Sequence, residues 1–128
     1  SIIVLPDFLK GEDQFLISKI VTLGILDYLK ITIGNNSSKL NQSVAIKWPN
    51  DVYINDRKIC GILIELKVKG IEIDNIIIGF GLNVNQENFS ITLHNKAISL
   101  YQKKKSFFNL NLAKKEIIEE LKNIIQTL

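Results

Sequence analysis

Two long apolar runs, Ile59 to Val68 and Ile71 to Val84, are separated only by Lys69-Gly70, and this pairing constrains the fold more than any other feature of the chain. Runs of that length on either side of a glycine turn read as the two arms of a β-hairpin. Their apolar content is too continuous for a sheet with one wet face, so at least part of the sheet is expected to be covered on both sides. Shorter strand candidates accompany them. These are Ile2 to Leu5, stopped by Pro6; Val44 to Trp48; and Val52 to Ile54, followed by turn chemistry at Asn55-Asp56.

Other segments carry the helical period. Between Gly11 and Lys30, the residues Phe15, Leu16, Ile20, Leu23, Leu26 and Tyr28 or Leu29 recur at three- and four-residue spacing, with Lys19, Thr22, Asp27 and Lys30 largely opposite. Gly34-Asn35-Asn36-Ser37-Ser38 then reads as a loop. A short helix is expected near Ala97 to Tyr101. A longer one should run from about Leu110 to Leu128, with Leu112, Ala113, Ile117, Leu121, Ile124 and Leu128 on its apolar face. No repeat or linker divides the chain. Its 128 residues, 46% of them hydrophobic, suit one small core, so residues 1–128 read as a single α+β domain.

Composition excludes several classes of function. The net charge of +3 is carried almost wholly by lysine, Arg57 being the only arginine, and the one dense run is Lys103-Lys104-Lys105. Such a run is more often a solvated loop than a phosphate-binding stripe, so no nucleic-acid partner is expected. Cys60 and His94 are each single, with no second ligand at zinc spacing and no partner for a nucleophilic triad. The apolar stretches break well short of the ~20 residues of a membrane span, and no signal-peptide pattern opens the chain. The expectation is a cytoplasmic protein with no membrane association.

Three short stretches in the β-rich middle could carry chemistry. In Lys47-Trp48-Pro49-Asn50-Asp51, the proline forces an extended residue before it and withholds an N–H, so the strand ends or bends there and Asn50 and Asp51 emerge at a corner. Taken alone, this is equally a plain turn with Trp48 as a core anchor. In Arg57-Lys58-Ile59-Cys60-Gly61-Ile62-Leu63-Ile64-Glu65, a glycine interrupts an apolar strand, which marks a bulge or a close backbone approach to a ligand. In Gly79-Phe80-Gly81-Leu82-Asn83-Val84-Asn85, two alternating glycines bare the backbone on one face of a strand. A dinucleotide-binding turn is excluded there, because no third glycine and no helix follow.

In order and spacing these stretches resemble the biotin protein ligases, which carry a KWPND stretch, a lysine before an aGILiE-type strand, and a GxGiNvN-type strand. Ser1 to Pro6, Gln14-Phe15 and Ile98-Ser99-Leu100 also look like that family, so the resemblance covers most of the chain. It implies an α+β fold with a mixed, mostly antiparallel sheet and flanking helices. It also implies an ATP-dependent ligase that activates biotin as biotinoyl-AMP and passes it to a lysine on the biotin carboxyl-carrier domain of a carboxylase. By match to the family, Lys58 would be catalytic and contact biotin, with Gly61, Ile62, Gly79 and Gly81 lining the biotin site. Lys47, Asn50 and Asn83 would contact the nucleotide, and Asp51 is the candidate ligand for Mg²⁺.

The match departs in one respect. The family's glycine- and arginine-rich loop, and further Ser/Thr and Gln contacts to biotin, would lie upstream of Ser1. The chain is therefore expected to be the C-terminal part of a ligase catalytic domain, inactive or nearly so by itself. Many family members also end in a small β-barrel that this sequence does not reach. Long apolar strands could pair edge to edge with a second copy, giving a homodimer. Two alternatives stay open: a non-catalytic biotin- or adenylate-binding or partner-binding module, and a lipoate or octanoyl transferase relative.

Overall fold

The computed structural model describes residues 2–4, 11–34, 44–48 and 50–126. The expected long hairpin is its centre. Strands β4 (Arg57–Lys69) and β5 (Glu72–Leu82) turn back on each other through Gly70, whose φ of 69° is the left-handed backbone that glycine adopts without strain. On either side lie β1 (Ile2–Val4), β2 (Val44–Lys47) and β3 (Asp51–Ile54), in the order β1-β5-β4-β3-β2. All four strand pairs are antiparallel; the only parallel pairing among the described residues is a single bridge, Lys58 with Ala97. The β3–β4 turn is Asn55-Asp56, both left-handed with φ of 46° and 66°. That is the mirror-image turn whose twist suits a two-residue hairpin, and Asn and Asp tolerate it.

One face of the sheet carries the core. Val52, Ile54, Cys60, Ile62, Ile76 and Ile78 are buried there beneath α1 (Gln14–Ile33, entered through a 3₁₀ turn at Gly11–Asp13), and α3 (Leu110–Gln126) packs against α1. The cover on both sides expected of the sheet is not marked by the consecutive buried residues Ile59 and Cys60, which lie at a register shift between β3 and β4 and join one core cluster. Further along, Leu63 on the other face is 61% exposed, so that face is open there. Strand β4 also outlasts β3: beyond the bond from Ile62 N to Asn50 O, its outer edge has no partner strand among the described residues.

The two helices differ from their expected faces in an instructive way. In α1 the buried residues are Ile17, Ile20, Val21, Thr22, Gly24, Ile25, Tyr28, Leu29 and Ile33, whereas Phe15, Leu16 and Leu23 are about half exposed. This helix is apolar nearly all round, so its periodicity permits more than one stripe and tertiary packing selects among them. Gly24 decides the choice. A Cβ there would lie 2.8 Å from Leu121 Cδ2, so α1 and α3 approach each other at that point. In α3 the buried positions are Ala113, Ile117 and Leu121, as expected, while Leu112 is exposed at the first turn and Leu128 lies outside the described residues. Asn109 caps that turn by accepting from Leu112 N at 3.1 Å.

The short helix α2 (Leu100–Lys104) begins later than its sequence suggests, because Ser99 forms a capping box with Gln102. Ser99 is wholly buried and also donates to Gln86 O at 2.6 Å, tying α2 to the segment after β5. In the lysine run, Lys104 Nζ donates to Ile33 O and so covers the C-terminal end of α1, a structural role. No helix among the described residues is long and apolar enough to cross a membrane.

Candidate active site

The open face of the sheet assembles the sequence-derived candidates through one irregularity. From Asp51↔Gly61 and Val52↔Cys60, the β3–β4 register jumps to Tyr53↔Lys58, leaving Ile59 as the extra residue of a β-bulge. In a regular strand, residues three apart point to opposite faces. The bulge cancels that alternation and brings Lys58 onto the face of Gly61. The bulge expected at the glycine therefore sits two residues earlier, and Gly61 provides the close approach.

Cross-strand partners share a face, so registers place Lys47 opposite Asp51, Asp51 opposite Gly61, and Gly61 opposite Gly81. These four residues form one row across four strands. Gly79 follows two residues before Gly81 on the same face, opposite Leu63. The row is cationic at one end and bare backbone at the other. A Cβ at Gly61 would lie 3.3 Å from both Cε and Nζ of Lys58, so the lysine stem lies directly over the glycine. At Gly81 a Cβ would meet nothing within 4 Å, so no packing in the fold accounts for the missing side chain.

Lys58 Nζ pairs with Asp51 Oδ1 at 3.1 Å, and the two side chains are 43% and 36% exposed. The backbone of Lys58 is fixed independently of that pair. Its N–H donates to Lys96 O at 2.8 Å, and its carbonyl accepts from Ile98 N at 3.0 Å and Asn83 Nδ2 at 3.4 Å. Asn83 is thus built into the frame: its N–H donates to Ile59 O, and its carbonyl accepts from Leu100 N. Asn50 is likewise held, by Ser18 through its side chain and by Ile62 N through its carbonyl. Lys47 is exposed, its Nζ 5.0 Å from the centre of the Tyr53 ring.

Two candidates stand apart. Ile62 is 6% exposed on the helix side of the sheet, so its side chain belongs to the core and does not join the row. Trp48 is no core anchor either. It is 71% exposed and packs against Phe15, ring centres 5.7 Å apart, with Lys19 over the other ring. Sequence reasoning missed Ser18 and Tyr53. Tyr53 had a signal, since it lies two residues from Asp51 on the same face of a strand; Ser18 had none short of the fold.

Cys60 and His94 take the structural roles expected of them. His94 is exposed and its Nδ1 lies 2.7 Å from Ile91 O. Cys60 is buried, and burial pushes its thiol up to about 12 despite the nearby Lys58. A thiol raised that far is inert near neutrality. Cys60 is expected to resist iodoacetamide in the folded protein at pH 8 and to react fully in urea, as mass spectrometry would show; equal labelling in both would place it at the surface. Because the folded value lies above the ordinary thiol value of 9.0, its contribution to stability is complete below pH 9 and is lost as the pH rises toward 12.

Chemically, the stretch of this face around the glycine row offers Lys47, Lys58, the Asp51 carboxylate and bare backbone for a flat, anionic ligand. Among the described residues, no group of three or more metal-ligating side chains comes together. The description "Biotin/lipoate A/B protein ligase family" fits residues 1–83. Over 59 residues the chain is 46% identical to the bifunctional ligase/repressor BirA of Bacillus subtilis, a match covering 44% of this chain and 18% of that protein. Against BirA of Escherichia coli it is 32% identical over 83 residues, covering 65% of this chain and 26% of the relative. A solved structure of biotin protein ligase from Aquifex aeolicus in complex with biotin and ATP superposes with a TM-score of 0.75 at 23% identity, covering 97% of this chain and 47% of that one. That likeness establishes the shared fold, and the matches span about half of the solved chain but only 18% and 26% of the two curated relatives. With the family's description matched over residues 1–83 of 128, the chain belongs to the biotin/lipoate A/B protein ligase family.

Proposed function

We propose that this chain carries the adenylation face of a biotin protein ligase. In this reading a carboxylate oxygen of biotin attacks the α-phosphorus of ATP, the bond to pyrophosphate breaks, and biotinoyl-AMP remains bound. The amine of a lysine on a biotin carboxyl-carrier domain then attacks the acyl carbon, and AMP leaves. No covalent enzyme intermediate is needed, which agrees with inert Cys60 and peripheral His94.

One observation carries the reading: Lys58 lies over Gly61, at the junction of a cationic edge and a glycine-lined strip. Bringing a carboxylate to a polyphosphate sets like charges together, at about 4 kcal/mol for unit charges ~4 Å apart at an effective dielectric of ~20. A lysine fixed beforehand at that point offsets the repulsion, and does so most where charge develops in the transition state. Lys58 would contact the biotin carboxylate and the α-phosphate, with Lys47 supporting the phosphates. Gly61, Gly79 and Gly81 would admit the flat biotin bicycle, and any part taken by Ile62 would come from its backbone. Asn50 would contact the nucleotide; Asn83 would act near it chiefly by holding Lys58.

Asp51 fits a Mg²⁺ ion only in the form that ion usually takes with nucleotides, one protein carboxylate beside phosphate and water oxygens. Its Oδ1 is engaged by Lys58, leaving Oδ2 for the ion. When bound, the ion would neutralise phosphate charge.

The test is biotin-dependent release of pyrophosphate from ATP by the protein at its native length, followed by transfer of labelled biotin to a carrier domain. Both are expected. Turnover with lipoate and not biotin would move the chain to the other branch of the family. Binding of biotin without pyrophosphate release would make it a binding module.

A further inference from the structure

The Asn50 amide is not free to turn. Ser18, in the second turn of α1, donates its hydroxyl to Asn50 Oδ1 at 2.6 Å, across 32 positions of sequence. The Asn50 carbonyl meanwhile accepts from Ile62 N at 2.9 Å. Side chain and backbone are thus tied to different elements, one to the helix and one to β4. Ser18 is itself held firmly: its neighbours Ile17 and Val21 are in the core, and its carbonyl accepts from Thr22 Oγ1 at 2.7 Å.

An asparagine amide has an acceptor end and a donor end, and engaging one decides what the other presents. With Oδ1 committed to Ser18, Asn50 has two N–H donors left on Nδ2. Among the described residues no acceptor engages them. We infer that Ser18 is a positioning residue, anchoring the Asn50 amide through one end so that its other end is held ready for the nucleotide. The inference rests on the reading of Asn50 as a nucleotide contact. It adds a residue from a helix outside the three motif stretches. Without the Ser18 hydroxyl the amide loses its anchor and its contact with the nucleotide weakens. The loss then falls on nucleotide binding and spares both biotin binding and the chemical step.

The experiment measures pyrophosphate release by the protein at its native length, varying ATP and biotin separately. Ser18→Ala is expected to raise KM for ATP about fivefold, the size of one neutral hydrogen bond's net contribution, with kcat and the KM for biotin unchanged. Ser18→Thr keeps a hydroxyl at the same place and restores the ATP value. Thr22→Val removes a hydroxyl from the same helix that bonds only to Ser18 O, and it should move neither constant. If Ser18→Ala and Thr22→Val alter both constants alike, Ser18 merely supports the helix and the inference is overturned. Asn50→Ala separates the remaining cases. Should it leave the KM for ATP unchanged, the nucleotide reading of Asn50 fails and the inference with it. Should it raise that KM while Ser18→Ala does not, the inference alone fails.

Discussion

Replacing Lys58 by alanine is expected to slow biotin-dependent pyrophosphate release by about 10²- to 10³-fold, the usual cost of deleting one preorganised charge-stabilising donor. Lys67→Ala is expected to change it by no more than about twofold. The two lysines make a matched pair. Both belong to β4 and point to the same face, and Lys67 sits near the far end of the strand, opposite Asn75 and away from the glycine row. The loss at Lys58 will not come from unfolding. Its ion pair with Asp51 is more than a third exposed on both sides, a setting in which such pairs contribute about 0–1 kcal/mol. Its backbone is secured by Lys96, Ile98 and Asn83, bonds that alanine keeps. Urea midpoints of the two variants should therefore nearly coincide while their rates separate. Equal rates would make Lys58 an ordinary surface lysine and remove the centre of the proposed site.

That Lys58 and Gly61 share a face could not be read from the chain, and the reason is physical. Strand alternation puts residues three apart on opposite sides, and only the bulge at Ile59 reverses this. A bulge depends on what the partner strand offers, so its position is a property of the pair β3–β4 and not of either segment. The long hairpin was legible because continuous apolar runs around a glycine turn have few other solutions. The Asn55-Asp56 turn was legible because two-residue hairpins demand left-handed backbone and few residues tolerate it. The face of α1 was not: Phe15, Leu16 and Leu23 fit the helical period as well as Ile17, Val21 and Ile25 do, and the close approach of Gly24 to Leu121 settles the rotation. Ser18 was illegible for the same reason, since its partner lies 32 positions away and meets it only once that rotation is set. The alternative that made Trp48 a core anchor fails, because it packs against exposed Phe15 at the rim.

Gly81→Val is expected to separate stability from function in opposite directions. Glycine within a strand weakens it by roughly 0.5–1 kcal/mol relative to residues with a side chain, and valine is among the best strand formers. The backbone at Gly81 has none of the positive φ that would penalise a side chain, and its Cβ would have no atom within 4 Å. Judged on the fold alone, the substitution should leave the urea midpoint unchanged or raise it. Judged on the proposed site, it puts two methyl groups opposite Gly61 on the strip where biotin would lie. Overfilling a closely packed contact costs about 1–3 kcal/mol, so affinity for biotin, measured by calorimetry at native length, should fall about 10- to 100-fold. A variant as stable as the parent that still binds biotin normally would show that no ligand approaches Gly81, and the glycine-lined strip would lose its meaning. A variant that is more stable and fails to bind would mean that this glycine is kept against the interest of the sheet, which only a ligand on that face explains.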